Sequence, residues 1–255
     1  LGWGVEGIAF GTVIAEWTTV FFASWLILRE LNSRREAGVE FWPRSRLVDA
    51  GAFKNMLASN RDIMIRTLVL VFSFGFFINQ SAQFAANHIL LQLISFAAFF
   101  LDGYAFVVES LVGSSLGARR LDSFDMAVKR STILALITAA TLALLLLAFG
   151  DLAVTALTDI ELVQDAARSS LFLAAIYIFF SFAAFQLDGI FIGASFTRQM
   201  RNAALLSIAV FLIAWWLLMD RFGVNGLWWA MIIYVAARAD ALLLYFPALR
   251  KSIES

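Results

Sequence analysis

The chain is 255 residues long, 62% hydrophobic and 15% charged, with a mean hydropathy of +0.84; no water-soluble core of this length hides so much apolar side chain, so the excess faces lipid. Basic and acidic residues balance at 19 each, which gives no basic domain for nucleic acid, and the absence of cysteine excludes disulfides and thiolate metal sites.

Seven stretches meet or approach the roughly 20 apolar residues that one crossing needs. They are Val5–Leu28, Ile63–Ala82, Ala85–Leu111, Ser131–Phe149, Ala166–Phe191, Ala203–Met219 and Gly226–Phe246. Helices are expected, because lone strands leave backbone groups unpaired in lipid and no alternating barrel pattern is present. The fold class is therefore an all-α polytopic membrane protein with about seven transmembrane helices.

The connectors carry an orientation. Fifteen of the 19 basic residues fall in alternate connectors: seven from Arg29 to Arg61, four from Arg119 to Arg130, then Arg198, Arg201, Arg250 and Lys251. The intervening connectors are nearly free of them; Asp151–Arg168 holds Asp151, Asp159, Glu161 and Asp165 against one Arg168. This alternation puts the long first loop and the C-terminus in the cytoplasm. The chain enters an apolar helix directly after Leu1-Gly2-Trp3, with no initiator methionine and no signal-peptide pattern, and so reads as part of a longer protein. Within the first loop, Phe41–Leu57 mixes aromatic and basic residues and is either an interfacial helix or an ordinary charged linker.

Polar residues inside the spans mark candidate sites. The first span has Thr12, Glu16 and Thr19 on one face. The second has Arg66 near its start, where it can snorkel to the surface. The third carries His88, Ser95, Asp102 and Glu109 at seven-residue spacing, hence on one face. The fifth carries Ser181, Asp188 and Ser195 in the same way, with Tyr177 and Gln186 as further polar groups. The two helices share a repeat: Ser95–Gly103 reads SFAAFFLDG and Ser181–Gly189 reads SFAAFQLDG, matching at eight of nine positions.

An aspartate at a helix centre costs roughly 2.5–3.5 kcal/mol on insertion scales, so two copies imply a use. Asp102 and Asp188 are either helix–helix hydrogen-bond partners or carboxylates that bind a coupling ion or substrate. Glu109 lies near Arg119 and is expected to pair with it. In the seventh span, Arg238 needs a buried partner, and Asp102 or Asp188 can supply one; Asp240, two residues on, faces elsewhere. Gly113–Gly117 and Gly189–Gly193 have the spacing of close helix contacts. No hydrolase, nucleotide-binding or zinc motif is present.

With these residues in view, ANHILLQLISFAAFFLDGYAFVVESLVGSSLGARR and FQLDGIFIGAS, together with GWGVEGIAFGTVIAE at the start, resemble helices of the multidrug and toxic compound extrusion (MATE) family. The resemblance is to its bacterial branch named for the DNA-damage-inducible protein F and runs through the whole chain. The family has twelve helices in two six-helix lobes. The resemblance implies that residues 1–28 are the last helix of an N-terminal lobe lying outside this sequence. Residues 29–61 are then the cytoplasmic linker, 62–249 the C-terminal six-helix lobe and 250–255 a cytoplasmic tail.

It also implies a secondary active transporter in the bacterial inner membrane, an antiporter exporting organic compounds of cationic or aromatic character, with no cofactor beyond H+ or Na+ as coupling ion. The site candidates are Asp188, Asp102, Glu16 and Gln186, supported by Glu109, Arg238, Ser181, Ser95 and Tyr177. Asp188 matches a tenth-helix carboxylate that some relatives use. The seventh-helix glutamate of those relatives has no counterpart between Ile63 and Ala82, which favours protons over sodium. The implied partners are a small organic substrate, the bilayer and the other lobe. The alternatives are a flippase for lipid-linked saccharides, which needs a strongly cationic cavity, and a chain that does not transport by itself.

Overall fold

Six α-helices make up almost all of the computed structural model, which describes residues 4–33, 49–80 and 84–254. They are α1 (Gly4–Ser33), α2 (Ala50–Asn79), α3 (Phe84–Gly117), α4 (Leu121–Leu157), α5 (Glu161–Gly193) and α6 (Thr197–Glu254). All six are long and apolar enough to cross a membrane. The helices overrun the apolar windows read from sequence, because a helix continues through charged turns that hydropathy discounts. Thus α2 begins at Ala50 rather than near Ile63, and the acidic connector after α4 shrinks to residues 158–160. Asp151 ends up inside α4, Asp165 and Arg168 inside α5, and Arg168 pairs with both acids. The expected tail, residues 250–255, continues α6 as far as Glu254.

Six helices are seen where seven are expected. The stretches Ala203–Met219 and Gly226–Phe246 both lie in the 58-residue α6, whose helical geometry breaks at Gly223 (φ 55°, ψ −131°). Such a backbone pair suits glycine, which has no Cβ to clash. Immediately beyond, Gly226 packs on the Leu218 carbonyl so closely that a methyl group there would overlap it. In a straight helix residues eight apart are separated by about 12 Å, so α6 turns back on itself between them.

The chain divides into two compact units, residues 1–53 and 54–255. In the first, α1 is apolar and exposed along its length, with Ile8, Phe21 and Phe10 each more than 60% accessible. Its threonines satisfy their own hydroxyls: Thr12, Thr18 and Thr19 donate to the carbonyls four residues back. The segment 34–48, which holds the first part of the proposed interfacial stretch, lies outside the described residues, and the remainder from residue 50 belongs to α2.

In the second unit, α5 is the central helix and packs against α3, α4 and α6. Over half of its apolar stretch is buried. Turns of three residues join α3 to α4 and α5 to α6. Both use the same helix stop. A residue with positive φ, Arg119 in one and Ser195 in the other, lets the next amide reach back to a carbonyl five residues earlier. Ser195, expected on the α5 stripe, therefore lies past the end of that helix. In contrast, α2 reaches the bundle through long side chains: Phe76 stands edge-on to Phe211 and Trp215, and Phe77 to Trp228.

Candidate functional site

Glycines set the site by letting α3 and α5 touch. A methyl on Gly189 would collide with the Ala105 backbone and one on Gly193 with the Glu109 carbonyl, while one on Gly113 would come within 3.3 Å of the Gly193 oxygen. This contact places Asp102 and Asp188 in the wall of one cavity of about 440 Å³, bordered also by Arg66 and Phe74 of α2, Glu109 of α3 and Arg238 of α6. A further hollow of about 650 Å³ shares Phe74, Ser95 and Phe99 with it and runs on past Gln92 to His88. The heptad stripe His88, Ser95, Asp102 and Glu109 thus lines one continuous groove.

Asp188 is the buried anchor of the cavity, 6% exposed. Both Arg66 and Arg238 donate through Nη2 to its Oδ2. The partner anticipated for Arg238 is therefore Asp188. Arg66 departs from expectation: it turns inward rather than snorkelling. It sits 16 residues into α2, and only the late start of the apolar window made it look terminal.

Asp102 is half-buried, forms no salt bridge among the described residues, and lies within electrostatic range of both arginines. Glu109 faces the same cavity, and among the described residues no ion pair joins it to Arg119. Tyr177 contributes to the wall, and Ser181 donates to the Tyr177 carbonyl at 2.6 Å beside a side recess.

Gln186 does not join this group. Two residues along a helix rotate a side chain by about 200°, so Gln186 points away from the face of Asp188 and donates to Ser131 of α4. Glu16 is exposed on α1, in the other unit. Asp240 is exposed, as its spacing from Arg238 requires.

Sequence reading passed over Asp62, which is 5% exposed and accepts from Arg201 at 2.7 Å and from the exposed Arg61 at 3.3 Å. An acid followed at once by an apolar window was the available signal. It also passed over Asn87, whose Oδ1 accepts from Trp228 Nε1 at 3.2 Å. Chemically, the cavity offers an unpaired carboxylate beside two guanidiniums already engaged, with the faces of Phe74, Phe99 and Phe106 around them. Such a wall can hold a proton or an organic cation. No cluster that would bind a metal ion occurs among the described residues.

Known proteins bear on this arrangement. The DNA damage-inducible protein F of Escherichia coli (strain K12) is 32% identical over 247 residues, covering 93% of this chain and 52% of that protein. The chain thus spans about half the length of the curated relative it matches. Among solved structures, the outward-facing conformation of a multidrug resistance MATE family transporter of the MOP superfamily superposes with a TM-score of 0.80 at 15% identity. It covers 99% of this chain and 58% of that one. A MATE in the bent conformation gives 0.76 at 16% identity, over 100% of this chain and 58% of that one. At such identities these likenesses speak to the fold. The MatE family model matches residues 61–218. That match takes in well over half of the chain, including most of α2, all of α3 to α5 and every charged group of the cavity except Arg238, and the protein belongs to the MatE family, whose members are transporters rather than enzymes.

Proposed function

We propose that this chain forms one wall of the pathway in a secondary active antiporter that exports organic compounds, cationic or aromatic in character, in exchange for protons. The observation that carries the reading is Asp102, without a salt bridge among the described residues, in a mid-helix cavity where the neighbouring Asp188 is already engaged by Arg66 and Arg238. On this reading Asp102 exchanges the proton or meets the substrate, and Asp188 holds the wall together. Protons are favoured over sodium because a compact cation would have to displace a guanidinium at Asp188, and α2 offers no acid within the cavity. Phe96, Phe99 and Phe106 stand 63%, 75% and 67% exposed along the groove. An opposing lobe would cover these rings.

In the same reading the two parts of α6 cross the bilayer separately, giving seven crossings, since about 30 Å of hydrocarbon is spanned by roughly 20 residues and α6 has 58. The alternation of basic connectors supports a cytoplasmic C-terminus, and the bacterial relative supports an inner-membrane location. A flippase for anionic lipid-linked saccharides draws some support from the second arginine, Arg66. Against it, both guanidiniums are spent on Asp188, and Asp102 and Glu109 add negative charge.

The test is export of an organic cation from vesicles holding the protein, driven by a proton or a sodium gradient, with Asp102→Asn and Asp188→Asn compared with the parent. Loss of proton-driven export in Asp102→Asn is expected. Full export in both variants would overturn the carboxylate reading, and drive by sodium alone would overturn the choice of ion.

A further inference from the structure

A second cavity lies on the other side of α5, between α4 and the C-terminal part of α6. It measures about 300 Å³ and is walled by Val128, Thr132, Phe182, Leu187, Leu243 and Phe246. That is the low end of the range for small-molecule sites, roughly 300–1,000 Å³. One polar group in its wall lacks a partner. Gln186 is 2% exposed, and its Nε2 is used on Ser131, whose hydroxyl in turn donates to the Ala127 carbonyl. With Nε2 donating to Ser131, Gln186 Oε1 is left buried without a hydrogen-bond partner among the described residues. A buried carbonyl of this kind costs free energy unless something donates to it.

The surroundings say what can. Leu243 in the wall is half-exposed, and Leu244, next to it in sequence, is an exposed apolar residue, so the pocket opens on a surface of the kind that lipid covers. Gln186 is seven residues, about 10 Å, from the end of α5 at Gly193. One turn beyond Val128 and Phe246, the Asp125–Arg250 ion pair closes the neighbouring ends of α4 and α6. A lipid hydroxyl near the edge of the bilayer reaches this depth.

We infer that this pocket binds a single-chain lipid bearing a hydroxyl, the chain lying against Phe182, Leu187 and Leu243 and the hydroxyl donating to Gln186 Oε1. The inference is independent of the transport reading, since it concerns the opposite face of α5. A charged head is disfavoured because the pocket offers no counter-charge, and a pure hydrocarbon because it would leave Oε1 unpaired.

The full chain in nanodiscs, labelled with a diazirine-bearing long-chain alcohol, tests it. Labelling is expected on the peptides that hold Thr132 and Leu243. It should be competed by 1-dodecanol at about five- to tenfold lower concentration than by dodecane, the margin of one buried hydrogen bond. Gln186→Leu should erase that margin while still admitting the alkane. Leu243→Trp, which fills the pocket and leaves Gln186 intact, should abolish labelling there and guards against misfolding of the first variant. Equal competition by alcohol and alkane in the parent would overturn the inference and indicate that a water satisfies Oε1. Labelling spread evenly over all exposed helices, unchanged by Leu243→Trp, would reduce it to bulk partitioning and overturn it as well.

Discussion

Arg66 and Arg238 share one acceptor: from α2 and α6 respectively, both guanidiniums donate to Oδ2 of Asp188 on α5. Three helices meet on a single oxygen, and α2 otherwise reaches the bundle mainly through aromatic side chains. Removing the shared carboxylate strands one buried and one partly buried cation, whereas removing one arginine leaves the pair formed by the other. Asp188→Asn is therefore expected to cost about 3–5 kcal/mol, the penalty of an uncompensated buried charge, and Arg66→Met clearly less. Thermal unfolding in detergent reads both. The double variant should fall short of the sum by about 0.5–3 kcal/mol, as groups in one network do. Additive losses would mean that the two bonds act independently.

The repeated Leu-Asp-Gly segments differ in what their glycines touch. Gly189 and Gly193 lie against the backbone of α3, and Gly103 has nothing within 4 Å of where a methyl would go. Gly189→Ala and Gly193→Ala should force α3 and α5 apart and cost about 1–3 kcal/mol, the usual range for overpacking. Gly103→Ala and Gly117→Ala should be neutral or stabilising by up to about 1 kcal/mol, since alanine favours the helix. Chemical or thermal melts of the four variants give the comparison, and a loss at Gly103 equal to that at Gly189 would contradict the geometry.

These particulars show what the sequence made legible. The heptad stripe from His88 to Glu109 was legible as one helix face, because seven-residue spacing fixes a face without knowledge of what it meets. Gln186, a candidate close to Asp188 in sequence, lies on another side of α5, as its two-residue offset requires. Arg66 and Asp62 were misjudged together, since a hydropathy window marks where lipid begins and not where the helix does. The union of Arg66, Asp188 and Arg238 depends on how three helices cross, and no local pattern carries that.

Asp62, well inside α2, joins that helix to the start of α6 through Arg201, with Asn202 also contacting that guanidinium. Its side chain is 6% exposed and Arg201 is 19% exposed, whereas Arg61 is 60% exposed. Exposed pairs contribute roughly 0–1 kcal/mol and partly buried charged hydrogen bonds about 1.5–3. Asp62→Asn should destabilise by about 1.5–3 kcal/mol and Arg61→Ala by less than about 0.5. A cycle of Asp62→Asn with Arg201→Met, followed by thermal unfolding, should recover most of the loss as coupling. A larger effect from Arg61 than from Arg201 would reverse the assignment.

The break in α6 can be tested by the sign of two substitutions. Gly223 holds φ 55° and ψ −131°, and Gly226 packs directly on the Leu218 carbonyl. If α6 ran on as one helix, replacing either glycine by alanine would stabilise it by about 0.8–1 kcal/mol. With the chain turned back at this point, Gly223→Ala instead takes on the strain of a backbone region that alanine avoids, about 1–3 kcal/mol. Gly226→Ala collides with a main-chain oxygen that no side-chain movement relieves. Both are expected to destabilise, while Gly75→Ala, in an open helical position of α2, should not. Thermal melts of the three variants decide it, because stabilisation at both Gly223 and Gly226 would require an unbroken helix and would remove the basis for two crossings in α6.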